Sequence, residues 1–183
     1  ELIRKTFLTP VELHQHACGF TSFYGLSGIV PMAISGVDLA IWDAYAKSLH
    51  STVLKILNPT CDPNASCSMY QTVFDDGAAL LAVEQGMAAV KLHLERYGSD
   101  PDINEIAEMI HRTRDVIGPD CQLMVDAFGK WNVSTTLELA ERICKYDIAW
   151  IEEPLLPQEI ASHAELCQHS PIPIAGGEHE YRN

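Results

Sequence analysis

The sequence is short of positive charge, of cysteine pairs and of the glycine motif that marks dinucleotide-binding proteins. Its formal net charge is −13, with only 12 lysines and arginines, so nucleic acid and anionic membranes are poor partners. None of the six cysteines is spaced as CxxC, and we expect buried, reduced thiols in a cytoplasmic protein. We find no signal peptide and no apolar run of membrane-spanning length. No GxGxxG follows the first predicted strand.

The remaining composition is ordinary for a globular protein. The chain has 183 residues, of which 47% are hydrophobic, and this predicts one domain with part of a second. An anionic small molecule remains compatible with the acidic balance if a metal or local cations attract it. The chain opens at Glu1 in the middle of a pattern and without an initiator methionine, so we expect an N-terminal part to be missing.

Apolar strand candidates alternate with amphipathic helix candidates over most of the chain. Residues 1 to about 30 show no clear period, and a helical stretch then runs from Pro31 to the breaker Asn58-Pro59. The predicted strands are 66–74, 88–94, 122–128, 148–154 and 172–178. The predicted helices between them lie near 76–86, 102–117, 134–146 and 157–168.

The helix near 102–117 has the clearest pattern. Its apolar face carries Ile103, Ile106, Ile110 and Ile117, and Asp102 is placed to cap its first turn. Strands that are apolar on both faces and alternate with such helices favour a parallel sheet. Two architectures fit this alternation, namely a doubly wound open sheet and a (β/α)8 barrel.

Three carboxylates end three consecutive predicted strands. Asp126, Glu152 and Glu178 are separated by 26 residues in each interval. One acidic residue at a strand end is commonly a helix cap or a solvated charge, but the carboxyl ends of neighbouring parallel strands share one pocket in a barrel. Three carboxylates there require a positive partner, and a hard cation such as Mg²⁺ prefers oxygen ligands. Glu153 is the weaker ligand candidate, because alternation lets only one of the two adjacent glutamates face the pocket easily.

Basic side chains accompany these carboxylates. Lys91 ends the second strand and can bind a substrate carboxylate or stabilise negative charge as it develops. His93 shares the face of Lys91 and can act as an acid or a base. His179 follows the third carboxylate and Gly176-Gly177, and it can donate to substrate hydroxyls or orient a metal ligand. The plainer alternatives are a surface lysine and two histidines packed at the rim.

Four segments resemble the mandelate racemase branch of the enolase superfamily. These are "AISGVDLAIWDAYAK", "LMVDAF", "WIEEPLLPQE" and "GGEHE", and the resemblance covers about residues 20–180. It implies a (β/α)8 TIM-barrel domain in which Asp126, Glu152 and Glu178 bind Mg²⁺. It also implies that Lys91 is the first lysine of the K-x-K motif of the family.

Two departures from that pattern refine the resemblance. His93 stands where racemase-type members have a second lysine, and Phe128 stands where many members have asparagine. Within the family, the chain is most similar to acid-sugar dehydratases of the L-rhamnonate type. Such enzymes remove the proton next to a carboxylate, form an enediolate and lose a neighbouring hydroxyl to give a 2-keto-3-deoxy acid. By resemblance, His179 or His93 would protonate the leaving hydroxyl.

The resemblance also predicts an incomplete barrel. Residues 1–30 would be the end of an N-terminal α+β capping domain or a linker, and residues 31–183 would supply about five of the βα units of a (β/α)8 barrel. The general base is expected on a late strand outside this chain, so the chain alone is expected to be inactive. We expect a small sugar acid as substrate and a homo-oligomer as assembly. A racemase, epimerase or cycloisomerase that uses His93 as base, and a non-catalytic scaffold, remain alternatives.

Overall fold

The computed structural model describes residues 9–25, 27–62 and 64–181. It divides the chain into a first unit, residues 1–67 and 178–183, and a second unit, residues 68–177. The predicted domain boundary near residue 30 stays a prediction. The part of the predicted capping domain that falls on residues 1–8 and on residue 26 lies outside the described residues.

The first unit contains three α-helices in its described residues. These are α1 (Pro10–Thr21), α2 (Ile29–Ser48) and α3 (Val53–Leu57), with a 3-10 turn between α1 and α2. The sequence pattern did not predict α1, although its start has clear signals. The Thr9 side chain accepts a hydrogen bond from the Glu12 amide, and Pro10 takes the first helical position. Start signals therefore identify this helix better than hydrophobic periodicity does.

Helix α2 is long enough and apolar enough to cross a membrane by length and composition. The expectation that no apolar run reaches this length was therefore wrong for the segment 29–48. The same test is passed by core helices of water-soluble proteins. Asp38 and Asp43 lie within the helix, and charged side chains are costly at the centre of a bilayer, which disfavours a membrane span.

The second unit is built of alternating strands and helices, as the sequence predicts. Each predicted element is present, although the strands are shorter than predicted. The strands are β1 (Gln71–Val73), β2 (Ala89–His93), β3 (Gln122–Asp126), β4 (Ile148–Glu152) and β5 (Ile174–Ala175). The helices are α4 (Asp76–Glu84), α5 (Ile103–Ile117), α6 (Val133–Ile143) and α7 (Ile160–His169).

The strand order decides between the two predicted architectures. The five strands are parallel and lie in the order β1-β2-β3-β4-β5. A doubly wound sheet reverses its strand order at a switch point, whereas a (β/α)8 barrel keeps neighbouring strands consecutive in sequence. The described sheet therefore has the topology of a TIM-type barrel wall, and all strand carboxyl ends lie at one edge.

Helix α5 covers one face of this sheet. Ile106, Ile110 and Ile117 are buried, as its apolar stripe predicts, and Ile103 is partly buried against the core. The Asp102 side chain caps the helix by accepting hydrogen bonds from the amides of Asn104 and Glu105. Both predictions for this helix are confirmed, because its amphipathic pattern and its capping residue agree.

Arg114, near the end of α5, fastens the helix to the neighbouring loops. Its guanidinium donates to four backbone carbonyl oxygens: those of Gly118, Cys121, Tyr146 and Asp147. The guanidinium thereby links the loop before β3 to the turn before β4.

The cysteines are less buried than the sequence suggested. Cys18 and Cys121 are buried, but Cys67, Cys144 and Cys167 are exposed. Cys144 follows α6 in a 3-10 turn, where a helical pattern no longer determines which face is covered. Burial raises the pKa of the Cys121 thiol, and the nearby Arg114 charge partly opposes this shift.

Candidate active site

The ends of the neighbouring strands are in register. His93 pairs with Asp126, Asp126 pairs with Glu152, and Glu152 pairs with Ala175. These four residues therefore form one row across the carboxyl edge of the sheet. Parallel pairing brings together the side chains that the sequence places at successive strand ends.

Lys91 lies between two of the predicted metal ligands. Its Nζ is 3.0 Å from Asp126 Oδ2, and it also donates to Glu152 Oε1. The three side chains are 10%, 9% and 17% exposed, so water screens the contacts only weakly. Two carboxylates on adjacent strands thus converge on one cationic group.

The electrostatics of this cluster follow from its composition. Burial lowers the pKa of Lys91, but the hydrogen bonds and charges of Glu152 and Asp126 outweigh that effect and hold it above its usual range. The lysine is therefore a firmly protonated ammonium. With two carboxylates around one ammonium, the cluster keeps an excess of negative charge that favours a further cation.

His93 is held on the other side of Asp126. Its Nδ1 is 3.2 Å from Asp126 Oδ2, and its Nε2 is 3.7 Å from Glu95 Oε2. The ring lies edge-on between Phe74 and Phe128, with centroid distances of 5.4 and 5.2 Å. The imidazole is therefore fixed in orientation by one carboxylate and two aromatic rings.

Two aromatic side chains that sequence reasoning missed complete the surroundings of Lys91. Trp150 Nε1 donates to Glu152 Oε2 over 3.0 Å, and the Lys91 ammonium lies 5.5 Å from the Tyr70 ring centroid. The Tyr70 and Trp150 rings meet edge to face at 6.1 Å. Trp150 stands two residues before a predicted ligand and was detectable on that ground, whereas no sequence signal marks Tyr70.

A β-bulge in β4 determines which of its side chains face the site. The register with β3 shifts between Leu123 and Val125, so that one residue of β3 opposes two residues of β4 there. Such a bulge changes which side chains face one side of the sheet. Beyond it, Glu152 meets Lys91, while Glu153 is buried and accepts a hydrogen bond from the Gly177 amide.

Asp126 is oriented by the turn that follows it. Its Oδ1 accepts a hydrogen bond from the Phe128 amide over 3.0 Å, and Phe128 takes a left-handed conformation with φ of 54°. The other oxygen is left to face Lys91 and His93. A non-glycine residue in this conformation is uncommon, and such residues concentrate at functional sites.

Glu178 and His179 fall in the first unit. Glu178 lines a cavity of about 490 Å³ together with His14 and Asp38, and His179 Nδ1 lies 3.6 Å from Glu178 Oε1. Within residues 9–25, 27–62 and 64–181, no group of three or more His, Cys, Asp or Glu side chains is close enough to hold a metal. The assignment of Glu178 as the third ligand therefore stays a prediction.

The donor chemistry of the pair Asp126 and Glu152 fits a hard cation. Both groups are carboxylates, both are nearly buried, and an oxygen of each already contacts the same ammonium. Mg²⁺ is commonly held by one or two carboxylates, with water or substrate oxygens filling its other positions. These two residues therefore suit such an ion without a complete protein cage.

The sequence profile of the enolase C-terminal domain-like family matches residues 75–183, which is more than half of the chain. The chain belongs to this family. Its members share the barrel domain that the strand order indicates, and the resemblance to the enolase superfamily is thereby confirmed for the three motifs that lie within residues 75–183.

Two curated relatives are enzymes of sugar acids or their lactones. The D-galactarolactone cycloisomerase of Agrobacterium fabrum is 31% identical over 163 residues, covering 84% of this chain and 42% of the relative. The L-talarate/galactarate dehydratase of Salmonella typhimurium is 31% identical over 160 residues, covering 84% of this chain and 39% of the relative. The chain thus spans less than half the length of either enzyme.

Solved structures agree with this family assignment. The 3,6-anhydro-D-galactonate cycloisomerase from Zobellia galactanivorans matches with a TM-score of 0.85 and 32% identity, over 98% of this chain and 49% of that chain. An enolase from Bradyrhizobium, complexed with magnesium and mandelic acid, matches with a TM-score of 0.82 and 30% identity, over 94% of this chain and 48% of that chain. A rhamnonate dehydratase from Gibberella zeae, complexed with Mg, matches with a TM-score of 0.80 and 25% identity, over 93% of this chain and 42% of that chain. Since these matches include nearly all of the chain, they favour α2 as part of an enzyme fold.

Proposed function

We propose that this chain forms part of a Mg²⁺-dependent enzyme that dehydrates a sugar acid to a 2-keto-3-deoxy acid. One observation carries the proposal: the Asp126 and Glu152 carboxylates converge on the Lys91 ammonium at the carboxyl edge of a parallel sheet. The sugar-acid class is supported by the relatives, which include a dehydratase of talarate and galactarate. Homologous enzymes complexed with magnesium support the choice of metal.

Asp126 and Glu152 would hold the ion, with Glu178 as the predicted third ligand. When bound, Mg²⁺ supplies positive charge that stabilises the negative charge developing on the substrate carboxylate. Lys91 would supply a second positive charge beside it. The Tyr70 ring lies beside the ammonium, and Trp150 packs against that ring and donates to Glu152.

His93 is proposed as the acid that protonates the leaving hydroxyl, with His179 as the second candidate. A proton on His93 Nδ1, directed at Asp126, would leave Nε2 to exchange protons with the substrate. Phe74 and Phe128 restrict rotation of the ring and so preserve that orientation. The general base is proposed to come from a part of the protein outside this chain.

A cycloisomerase is the second candidate function. The observation that favours it is similarity to two cycloisomerases, one of them matched at 32% identity over 98% of this chain. A cycloisomerase rearranges its substrate without loss of water, so product mass separates the two reactions.

The test uses the complete protein with Mg²⁺, a panel of open-chain aldonates and aldarates, and a panel of sugar lactones and anhydro sugar acids. A 2-keto-3-deoxy acid that has lost one water from an open-chain acid supports the dehydratase. An isomer of unchanged mass from a lactone or anhydro acid supports the cycloisomerase, and epimers alone support a racemase or epimerase. No product from any substrate, together with no Mg²⁺ binding by calorimetry, would favour the non-catalytic scaffold.

The matched variant is Glu152→Gln, which keeps the size of the side chain and the Trp150 contact but removes a charge. We expect the loss of measurable Mg²⁺ binding and of product formation, with an unchanged circular dichroism spectrum. Tight Mg²⁺ binding by the folded variant would refute the ligand assignment.

A further inference from the structure

Glu153 is a buried carboxylate for which the proposed reaction gives no role. It is 4% exposed, and its backbone takes a left-handed conformation with φ of 42°. A non-glycine residue in this region is strained and persists where surrounding contacts enforce it. The contacts of Glu153 therefore indicate what the conformation achieves.

Those contacts join the loops after three consecutive strands. The Glu153 amide donates to the Ala175 carbonyl at the end of β5 over 2.9 Å, and its own carbonyl accepts from the Gly129 amide over 2.6 Å. Its Oε1 accepts a hydrogen bond from the Gly177 amide. One residue thus fastens the chain beyond β3 and the chain beyond β5 to the end of β4.

Gly176 leaves the space that this arrangement requires. A Cβ at that position would lie 3.3 Å from Glu153 Oε1, which is closer than most side chains approach, and 3.7 Å from its Cδ. The backbone between Ala175 and Gly177 can therefore pass directly over the carboxylate. The adjacent glycines and the buried glutamate form one unit of local structure.

We propose that Glu153 is a positioning residue that, through the Gly177 amide and the Ala175 carbonyl, holds the backbone beyond β5 against the strand end that carries Glu152. Its effect is on magnesium affinity, because it acts through the backbone next to Glu152. This inference rests on the proposed magnesium function. The two adjacent glutamates then have different roles: Glu152 binds the ion, and Glu153 positions the backbone beyond β5.

The test compares Glu153→Gln with Glu153→Leu in the complete protein. Glutamine keeps an oxygen at the Oε1 position that can accept from the Gly177 amide, whereas leucine fills similar space without an acceptor. Magnesium titration by calorimetry measures the affinity, and hydrogen exchange of the peptide that contains residue 177, without metal, measures the hydrogen bond itself. Thermal unfolding of each variant shows whether the fold is retained.

We expect leucine to weaken Mg²⁺ binding by about 10- to 100-fold, as loss of groups that orient metal ligands commonly does. Exchange at residue 177 should accelerate in the same variant, and glutamine should restore both readouts to near wild-type values. Wild-type affinity or wild-type exchange in the leucine variant would overturn the inference, as would an equal loss in the glutamine variant. A wild-type protein that does not bind Mg²⁺ would instead overturn the proposed function, and exchange at residue 177 would still test the hydrogen bond.

Gly176→Ala provides a second route if the leucine variant does not fold. Its added methyl group presses on the Glu153 carboxylate without removing it, so we expect weaker Mg²⁺ binding and faster exchange at residue 177. Gly77→Ala is the matched control, because its Cβ meets only a carboxylate oxygen of Asp75 at an ordinary 3.4 Å. Equal affinities in the two alanine variants would contradict the positioning role.

Discussion

Lys91 occupies the position between Asp126 and Glu152 at which a metal cation would be attracted most strongly. Its ammonium therefore competes with a divalent ion for the same two oxygens. A metal ion that binds these same two oxygens would displace the ammonium from them. This competition distinguishes Lys91 from a lysine that only binds substrate.

Lys91→Met should therefore bind Mg²⁺ more tightly while losing catalytic activity. Two charges about 4 Å apart interact by about 4 kcal/mol at an effective dielectric constant near 20, so even after relaxation we expect a gain of roughly tenfold. Calorimetric titration measures this gain, and Lys130→Met serves as the control because Lys130 contacts the Phe128 ring and not the carboxylate pair. Weaker Mg²⁺ binding by Lys91→Met would show that the lysine supports the metal site and does not compete with it.

The raised pKa of Lys91 gives its stability contribution a defined pH range. A group whose pKa is higher in the folded protein than in the unfolded chain stabilises the fold. This stabilisation is complete below the unfolded-state pKa, which is about 10.4 for lysine, and it is lost as the pH rises through the folded-state pKa. The free energy of unfolding should thus differ between wild type and Lys91→Met by about 3 kcal/mol at both pH 7 and pH 9. Above about pH 10.4 the difference should shrink.

Urea unfolding at pH 7, 9 and 11 measures this dependence. Lys47→Met is the control, because the Lys47–Asp43 pair is largely exposed and contributes little. A difference that narrows between pH 7 and pH 9 would contradict the direction of the Lys91 shift.

The sequence predicts part of this site and misses the rest for a physical reason. Lys91, Asp126 and Glu152 are detectable because strand ends follow from hydrophobic runs, and parallel strands align their ends. Tyr70 and Phe74 reach the site only through contacts across strands, which depend on register and on the bulge in β4. A one-dimensional pattern contains neither of these quantities.

Among the elements, helix α5 shows where periodicity is sufficient. Its isoleucine stripe and its Asp102 cap both predict the observed helix, because local propensity and burial agree. Helix α1 shows the opposite case, since its hydrophobic pattern is weak and only Thr9 and Pro10 mark its start. Element ends are thus predicted best by caps, and element faces by periodicity.

Arg114 offers a test of how loops are held at the amino edge of the sheet. Arg114→Met removes donors to four backbone carbonyls, and we expect the unfolding free energy to fall by about 2–4 kcal/mol, since hydrogen bonds to charged groups contribute about 1.5–3 kcal/mol each and the guanidinium is partly exposed. Arg112→Met on the same helix is the matched control, because its ion pairs are long and exposed. A similar urea midpoint for both variants would show that the four bonds contribute little.

At the scale of the whole molecule, the family match and the strand order agree on the barrel type. The sequence alone left a doubly wound sheet open, because alternation of strands and helices is common to both folds. Only the pairing of consecutive strands separates them, and pairing is a property of the folded chain.

Magnesium should stabilise the complete protein against heat. At a concentration 100 times its dissociation constant, a ligand that binds only the folded state adds about 2.7 kcal/mol, which corresponds to a rise of about 3 °C in Tm for a protein roughly twice as long as this chain. Because the chain carries a net charge of −13, added salt alone also screens repulsion, so NaCl of equal ionic strength is the reference. The Glu152→Gln variant should show only the salt effect, and a full Mg²⁺ shift in that variant would place the ion elsewhere.

The consecutive order of the strands also affects how the sheet can be made. Each ladder joins strands separated by a single helix and its loops, so each described strand pairs with a strand that is close to it in sequence. Pairings that are close in sequence cost less chain entropy and form faster than distant ones. The sheet can therefore lengthen strand by strand from β1 as the polypeptide emerges during synthesis, with each new helix closing over the strand that precedes it.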